Sequence, residues 1–116
     1  MTKIWHNNRC SKSREAKSIL EESNIDFEVF EYLKNDFTIE DIKDVMKKLN
    51  ITDVKDMLRH KEIEYKELDI ANRSQDEIIR LVVQTPKLVE RPIIIQDNMA
   101  VIARPMENLT ELLKKK

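Results

Sequence analysis

The sequence predicts an α/β protein with a four-stranded mixed sheet, built as β-α-β and then, after a block of helices, as β-β-α. Three observations carry this prediction. Ile25, Phe27 and Val29 alternate with Asp26 and Glu28, a two-residue period that reads as strand. Near the other end, the β-branched run Ile93-Ile94-Ile95 faces a second run, Met99–Ala103, across Asp97-Asn98. Between these tracts apolar residues recur at helical spacing. No linker, repeat or low-complexity tract interrupts the chain. One domain spanning 1–116 is therefore expected, with a helical insertion at about 37–86.

Taken in order, Lys3–Trp5 reads as the first strand. Ser11–Glu22 reads as a helix with Ala16, Ile19 and Leu20 on one face, and Asn24 is suited to close it. The strand at Ile25–Val29 follows, and a strand–helix–strand unit of this length should be a right-handed parallel crossover. Thr38 and Asp41 resemble a capping box before Ile39, Ile42, Val45, Met46 and Leu49, with Asn50 at the end. Thr52 should start a shorter helix through Val54, Met57 and Leu58, and Ile63–Leu68 another turn or two. Ser74 and Glu77 form a full capping-box pattern ahead of Ile78, Ile79, Val82 and Val83. Pro86 should stop that helix near Thr85, because the residue before proline disfavours helix. Asp97-Asn98 makes a two-residue hairpin turn. Met106, Leu109, Leu112 and Leu113 mark a last amphipathic helix, with Lys114–Lys116 at its negative end. Met46, Met57, Met99 and Met106 read as core filler.

Composition excludes several function classes. Apolar residues make up 41% and charged residues 37%, which suits a globular rather than a disordered chain. There is no glycine, so no glycine-rich phosphate loop can form. Two histidines and one cysteine lack metal-ligand spacing, and neither a metal nor a bound cofactor is expected. No signal peptide or membrane-length apolar run is visible, and one cysteine cannot form an internal disulfide; a cytoplasmic monomer is expected. The net charge is −1, yet residues 1–17 hold five of the 21 basic side chains against one of the 22 acidic ones. That local excess fits a small anion; nucleic acid, which asks for a basic face, is not an expected partner.

The basic segment contains the only cysteine, in His6-Asn7-Asn8-Arg9-Cys10-Ser11-Lys12-Ser13-Arg14. Cys10 falls where a strand gives way to a helix. Amide N–H groups and the positive end of the helix dipole favour thiolate there, and thiolate is the reactive form. Arg9, Lys12, Arg14 and a protonated His6 would add positive charge. Alternatively, His6 is an ordinary core or loop histidine; in a supporting role it would stabilise the thiolate or order the loop. Ser13 could hydrogen-bond either the thiolate or the helix backbone. Arg9 and Lys12 read as solvated charges, and Arg14 either contributes to the site or forms a surface ion pair.

These residues carry a resemblance. His6-Asn7-x-x-Cys10-x-x-Ser13-Arg14 resembles the active-site loop of the glutaredoxin-coupled arsenate reductases, the ArsC-like family, which is distantly related to the Spx regulators. Leu58-Arg59, Glu90-Arg91-Pro92-Ile93 and Ala103-Arg104-Pro105 are similar to three further family motifs and occur in the family's order. Arg9–Glu15, Lys61-Glu62 and Tyr65–Leu68 look closest to short bacterial members. The chain has Asn8 where family loops often carry proline.

The resemblance implies a thioredoxin-like fold, with Pro92 in cis at the start of the third strand and facing the cysteine. It also implies a chemistry. The Cys10 thiolate attacks arsenate or a similar small oxyanion, Arg59, Arg91 and Arg104 hold the oxyanion, and glutathione and glutaredoxin complete the reduction to arsenite. Glutathione is then a co-substrate. His6, Asn7, Ser13, Arg14 and Pro92 would support the site. Two alternatives remain: the same scaffold acting on another thiol-linked or oxyanion substrate, and a non-enzymatic Spx-like protein that binds RNA polymerase. Serine at position 13 speaks against the latter, because a Cys-x-x-Cys switch cannot form.

Overall fold

The computed structural model describes residues 1–114. The elements run β1 (Thr2–Trp5), α1 (Ser11–Glu22), β2 (Phe27–Phe30), α2 (Ile39–Leu49), α3 (Ile63–Glu67), α4 (Gln75–Gln84), β3 (Ile93–Gln96), β4 (Met99–Ile102) and α5 (Glu107–Lys114). Short 3₁₀ turns at Val54–Met57, Ile70–Asn72 and Pro86–Leu88 punctuate the helical block. The strand order is β2-β1-β3-β4. β1 pairs parallel with β2, β1 antiparallel with β3, and β3 antiparallel with β4. This is the expected thioredoxin-like mixed sheet.

The central strands bury both faces, which explains the uninterrupted isoleucine run in β3. Ile4 and Ile94 turn to one side and pack with Ala16, Leu20, Leu109 and Leu112 of α1 and α5. Trp5, Ile93 and Ile95 turn to the other side, where the helical block supplies Ile42, Val45, Met57, Ile78 and Val82. β2 lies at the edge, and its alternation is only half used: Phe27 packs inward while Val29 is 42% exposed.

Local chemistry sets the helix ends. Thr38 with Asp41 and Ser74 with Glu77 form complete capping boxes at α2 and α4. Asn24, Asn50, Asp69 and Asp97 all take positive φ, the role glycine has in most chains. The 3₁₀ turn at 54–57 departs from the expected helix. Asp53, not Thr52, caps it by accepting from the Lys55 N–H, and Leu58 has already turned into a bridge with Val89. Met99 is 43% exposed rather than core, since the first residue of edge strand β4 faces solvent. Lys114 ends α5, and Lys115 and Lys116 lie outside the described residues. Among the described residues no helix is long and apolar enough to cross a membrane.

The register fixes where the site lies. Trp5 pairs with both Phe30 and Ile93, and Ile93 pairs with Ile102. The loop after β1, the segments leaving β2 and β4, and the segment entering β3 therefore all gather at one end of the sheet. The Arg91–Pro92 bond at that end is cis as expected, and so is Arg104–Pro105.

Candidate active site

Cys10 is the N-cap residue of α1 and is 8% exposed. Its amide donates to the Asn7 carbonyl at 3.0 Å, and its carbonyl accepts the Arg14 N–H at 3.0 Å, so the loop hands directly into the helix. Burial pushes the thiol up. Against it act the Ser13 amide, the Arg91 guanidinium and the Lys12 amide, and the net result is a value below that of an ordinary thiol. Arg104 Nη2 also approaches Sγ, at 3.4 Å.

The loop is held by a short chain of hydrogen bonds. His6 is 3% exposed and its Nδ1 lies 2.7 Å from Ser13 Oγ, which in turn accepts the Asn7 N–H at 3.0 Å. His6 Nε2 lies 3.4 Å from Asn8 Oδ1. One tautomer satisfies all three contacts: Nε2–H donates to Asn8, and the Ser13 hydroxyl donates to Nδ1. Burial, helped by Lys17 and Arg14 and opposed by Asn8 and Glu31, lowers the His6 pKa, so the neutral ring is favoured at pH 7. His6 is thus a loop-ordering residue and not the extra positive charge considered from sequence. The Ser13 side chain likewise serves the loop, while its amide serves the thiolate.

Arg59, Arg91 and Arg104 converge, although 45 residues separate the first from the last in sequence. The Leu58–Val89 bridge ties the helical block to the segment before β3. Arg59 N–H donates to the Leu88 carbonyl at 2.8 Å, and Glu90 N–H to the Met57 carbonyl at 2.8 Å. Arg104 arrives from the other side, because Ala103 N–H donates to the Pro92 carbonyl at 3.0 Å. Its Nε donates to the Arg91 carbonyl at 2.6 Å.

The arginines are partly neutralised. Arg59 Nη1 donates to Glu62 Oε1 at 2.6 Å. Glu90 Oε1 sits 3.8 Å from Arg59 Nε, 3.4 Å from Arg104 Nε, and accepts the Arg91 N–H at 3.1 Å. Tyr32, just beyond β2, completes the cluster. Burial pushes its hydroxyl up to about 12, against the pull of Arg91 and Arg59.

The ArsC family matches residues 5–112 of the chain. The chain belongs to the ArsC family. It is 42% identical over 113 residues to a Neisseria meningitidis protein named arsenate reductase, covering 96% of this chain and 97% of that one. It is 40% identical over 113 residues to the uncharacterised Escherichia coli protein YfgD, covering 96% of this chain and 95% of the relative. Among solved structures, the arsenate reductase of Vibrio cholerae superposes with a TM-score of 0.91 at 37% identity, covering 95% of each chain.

Of the residues anticipated in this ArsC chain, Cys10, His6, Asn7, Ser13, Arg59, Arg91, Pro92 and Arg104 gather at one sheet end. Arg14 braces the loop from outside by donating to the Asn8 carbonyl at 2.9 Å. The exposed side chains of Arg9 and Lys12 are not among the principal influences on the thiol, and Lys12 pairs with Glu15 at 3.9 Å. The sequence reading missed Tyr32, Glu62 and Glu90 as parts of the site. Glu62 and Glu90 stand within the motifs Lys61-Glu62 and Glu90-Arg91-Pro92-Ile93, which carry the resemblance but gave them no role; Tyr32 carries no local signal.

Alkylation of Cys10 by iodoacetamide should rise with pH to a midpoint below the ~8.5 of an unperturbed thiol, because the depressed pKa places thiolate at lower pH. His6→Ala should move that midpoint upward by loosening Ser13, whose amide faces Sγ. A parent midpoint at or above that of free cysteine would contradict the thiolate assignment.

Proposed function

We propose that this ArsC protein reduces arsenate to arsenite, with Cys10 as nucleophile, Arg59, Arg91 and Arg104 as the oxyanion clamp, and glutathione with a glutaredoxin as the electron donors. The observation that carries the reading is the juxtaposition at Cys10: a thiol of depressed pKa with Arg91 beside it and Arg104 Nη2 at 3.4 Å. The thiolate attacks arsenic, and an arsenate oxygen leaves as water after protonation, giving a cysteine–arsenate adduct. Glutathione then attacks arsenic, and a second arsenate oxygen leaves as water. A glutaredoxin thiolate attacks the glutathione sulfur, the glutathione–arsenic bond breaks, and the two sulfurs leave as a mixed disulfide while arsenic takes up the electron pair and stays on Cys10 as arsenic(III). Water hydrolyses that last bond, releasing arsenite and the Cys10 thiol. Guanidinium donors suit each anionic stage, because they offer paired N–H groups to oxygen and keep their charge.

The protein acts as a cytoplasmic monomer without a bound cofactor. The second and third thiols are supplied from outside, since the chain has only one. The direct test is NADPH-coupled turnover of arsenate with glutathione, glutaredoxin and glutathione reductase. Sustained, protein-dependent arsenite formation is expected. Turnover with thioredoxin alone, in the absence of glutathione and glutaredoxin, would overturn the electron route.

One observation favours a second reading, in which the same thiol chemistry serves another thiol-linked or oxyanion substrate. Glu62 and Glu90 already hold Arg59 and Arg104. The site is therefore less cationic than three arginines imply, and suits a substrate of lower charge. Faster reduction of such a substrate than of arsenate, under the same coupling, would favour it.

A further inference from the structure

The site contains two buried polar atoms without a well-formed hydrogen bond. Tyr32 is 1% exposed, and neither its hydroxyl nor Arg91 Nε makes a hydrogen bond of good geometry among the described residues, although the Arg91 guanidinium stands close enough to the hydroxyl to pull on it as a donor. Native structures carry few such groups, because a buried donor left unmade forfeits its hydration without recompense. Packing accounts for the ring of Tyr32. It stacks on Trp5 with centroids 6.0 Å apart and 23° between planes, and phenylalanine would fill that place as well. The hydroxyl is the atom left over.

Its position points to a use. Tyr32 lies two residues beyond Phe30, whose carbonyl accepts the His6 N–H at 2.9 Å, so it emerges beside the Cys10 loop. Arg91, Arg59 and Cys10 all bear on its ionisation. Arg59 and Arg104 already hold Glu62 and Glu90, and the Arg91 guanidinium leans on Cys10 and on the Tyr32 hydroxyl, whereas that hydroxyl's own hydrogen has no acceptor among the described residues.

We propose that the Tyr32 hydroxyl is a further donor of the oxyanion site, giving its hydrogen to an oxygen of a tetrahedral oxyanion that is seated against Cys10 and also met by Arg91 Nε. This deepens the arsenate reading and rests on it. Tyr32 stays protonated well above neutral pH, so it is a donor throughout the working range. It adds direction without adding charge, which suits a site whose arginines are partly neutralised.

The test compares the parent with Tyr32→Phe, using arsenate, phosphate and sulfate as probes and protection of Cys10 from iodoacetamide as the readout. In the parent, arsenate should protect. In Tyr32→Phe, the apparent dissociation constant for arsenate should rise about tenfold, equivalent to ~1.4 kcal/mol, with the Cys10 alkylation midpoint and melting temperature unchanged. A second measurement is independent of the variant's stability. The chain has two tyrosines, so in a Tyr65→Phe background arsenate should perturb the ultraviolet difference spectrum of Tyr32. Equal protection of parent and Tyr32→Phe, with no tyrosine difference signal, would overturn the proposal and leave the arsenate reading intact. Protection by phosphate or sulfate but not arsenate would overturn the arsenate reading, and the same comparison then decides Tyr32 with that ion. Protection by none of the three would overturn both.

Discussion

Cys10→Ser should reduce arsenate turnover to the uncatalysed background while leaving the fold in place. Serine keeps the size and the N-cap position, and the replaced side chain has few packing partners to lose, so a stability cost of about 1 kcal/mol or less is expected. The chemistry does not survive the change. A serine hydroxyl is not ionised near neutral pH, whereas at Cys10 the Ser13 amide and Arg91 outweigh burial and favour thiolate relative to an ordinary thiol. Electron count makes the loss complete. Arsenate takes two electrons, and the chain offers one thiol, so every route begins with a bond to Cys10. Incubating the parent with glutathione and arsenate should give a glutathione-linked mass increase on the Cys10 peptide, and Cys10→Ser should show neither adduct nor turnover. A serine variant that turns over would place the chemistry elsewhere.

Arg91→Lys and Arg104→Lys should each lower turnover about 10- to 100-fold with little change in melting temperature. A lysine retains the charge but loses the planar fork. A charge-assisted hydrogen bond contributes roughly 1.5–3 kcal/mol, which is one to two orders of magnitude in rate. The two variants should differ at the thiol. Arg91 is the principal side chain lowering the Cys10 pKa, so Arg91→Ala should raise the alkylation midpoint, while Arg91→Lys should preserve most of the depression. Arg104→Lys loses both the 3.4 Å approach to Sγ and the 2.6 Å bond to the Arg91 carbonyl, so it should also disturb the placing of Arg91. If both lysine variants reduced arsenate like the parent, these arginines would not be the clamp.

The sequence by itself determined the parts of this protein that depend on near neighbours. Thr38 with Asp41 and Ser74 with Glu77 announce helix starts because the capping partners are three residues apart. The β-branched isoleucine run announces a strand. Cys10 announces a thiol at a helix start because strand, loop and helix follow one another along the chain. The ordered motifs around Arg59, Arg91 and Arg104 led to the ArsC family, and through the resemblance to the cis Pro92.

The resemblance named Arg91 and Arg104 for the site, but only the tertiary structure decided that they, and not the cations near Cys10 in sequence, stand beside the thiol. Proximity in sequence suggested Arg9, Lys12 and Arg14 as its electrostatic partners, yet Arg9 in the loop and Lys12 and Arg14 in the first turn of α1 are all exposed, where water screens them. Arg91 and Arg104 take their place from across the sheet, the latter 94 residues away. Pairing of Arg59 with Glu90 depends on one bridge between Leu58 and Val89, and the Tyr32 ring is held against Trp5, which precedes it by 27 residues. Those contacts follow from how strands and helices pack, and packing is a property of the whole chain. A local sequence pattern can specify a capping bond or a turn; it does not record which charges a folded sheet brings to one end.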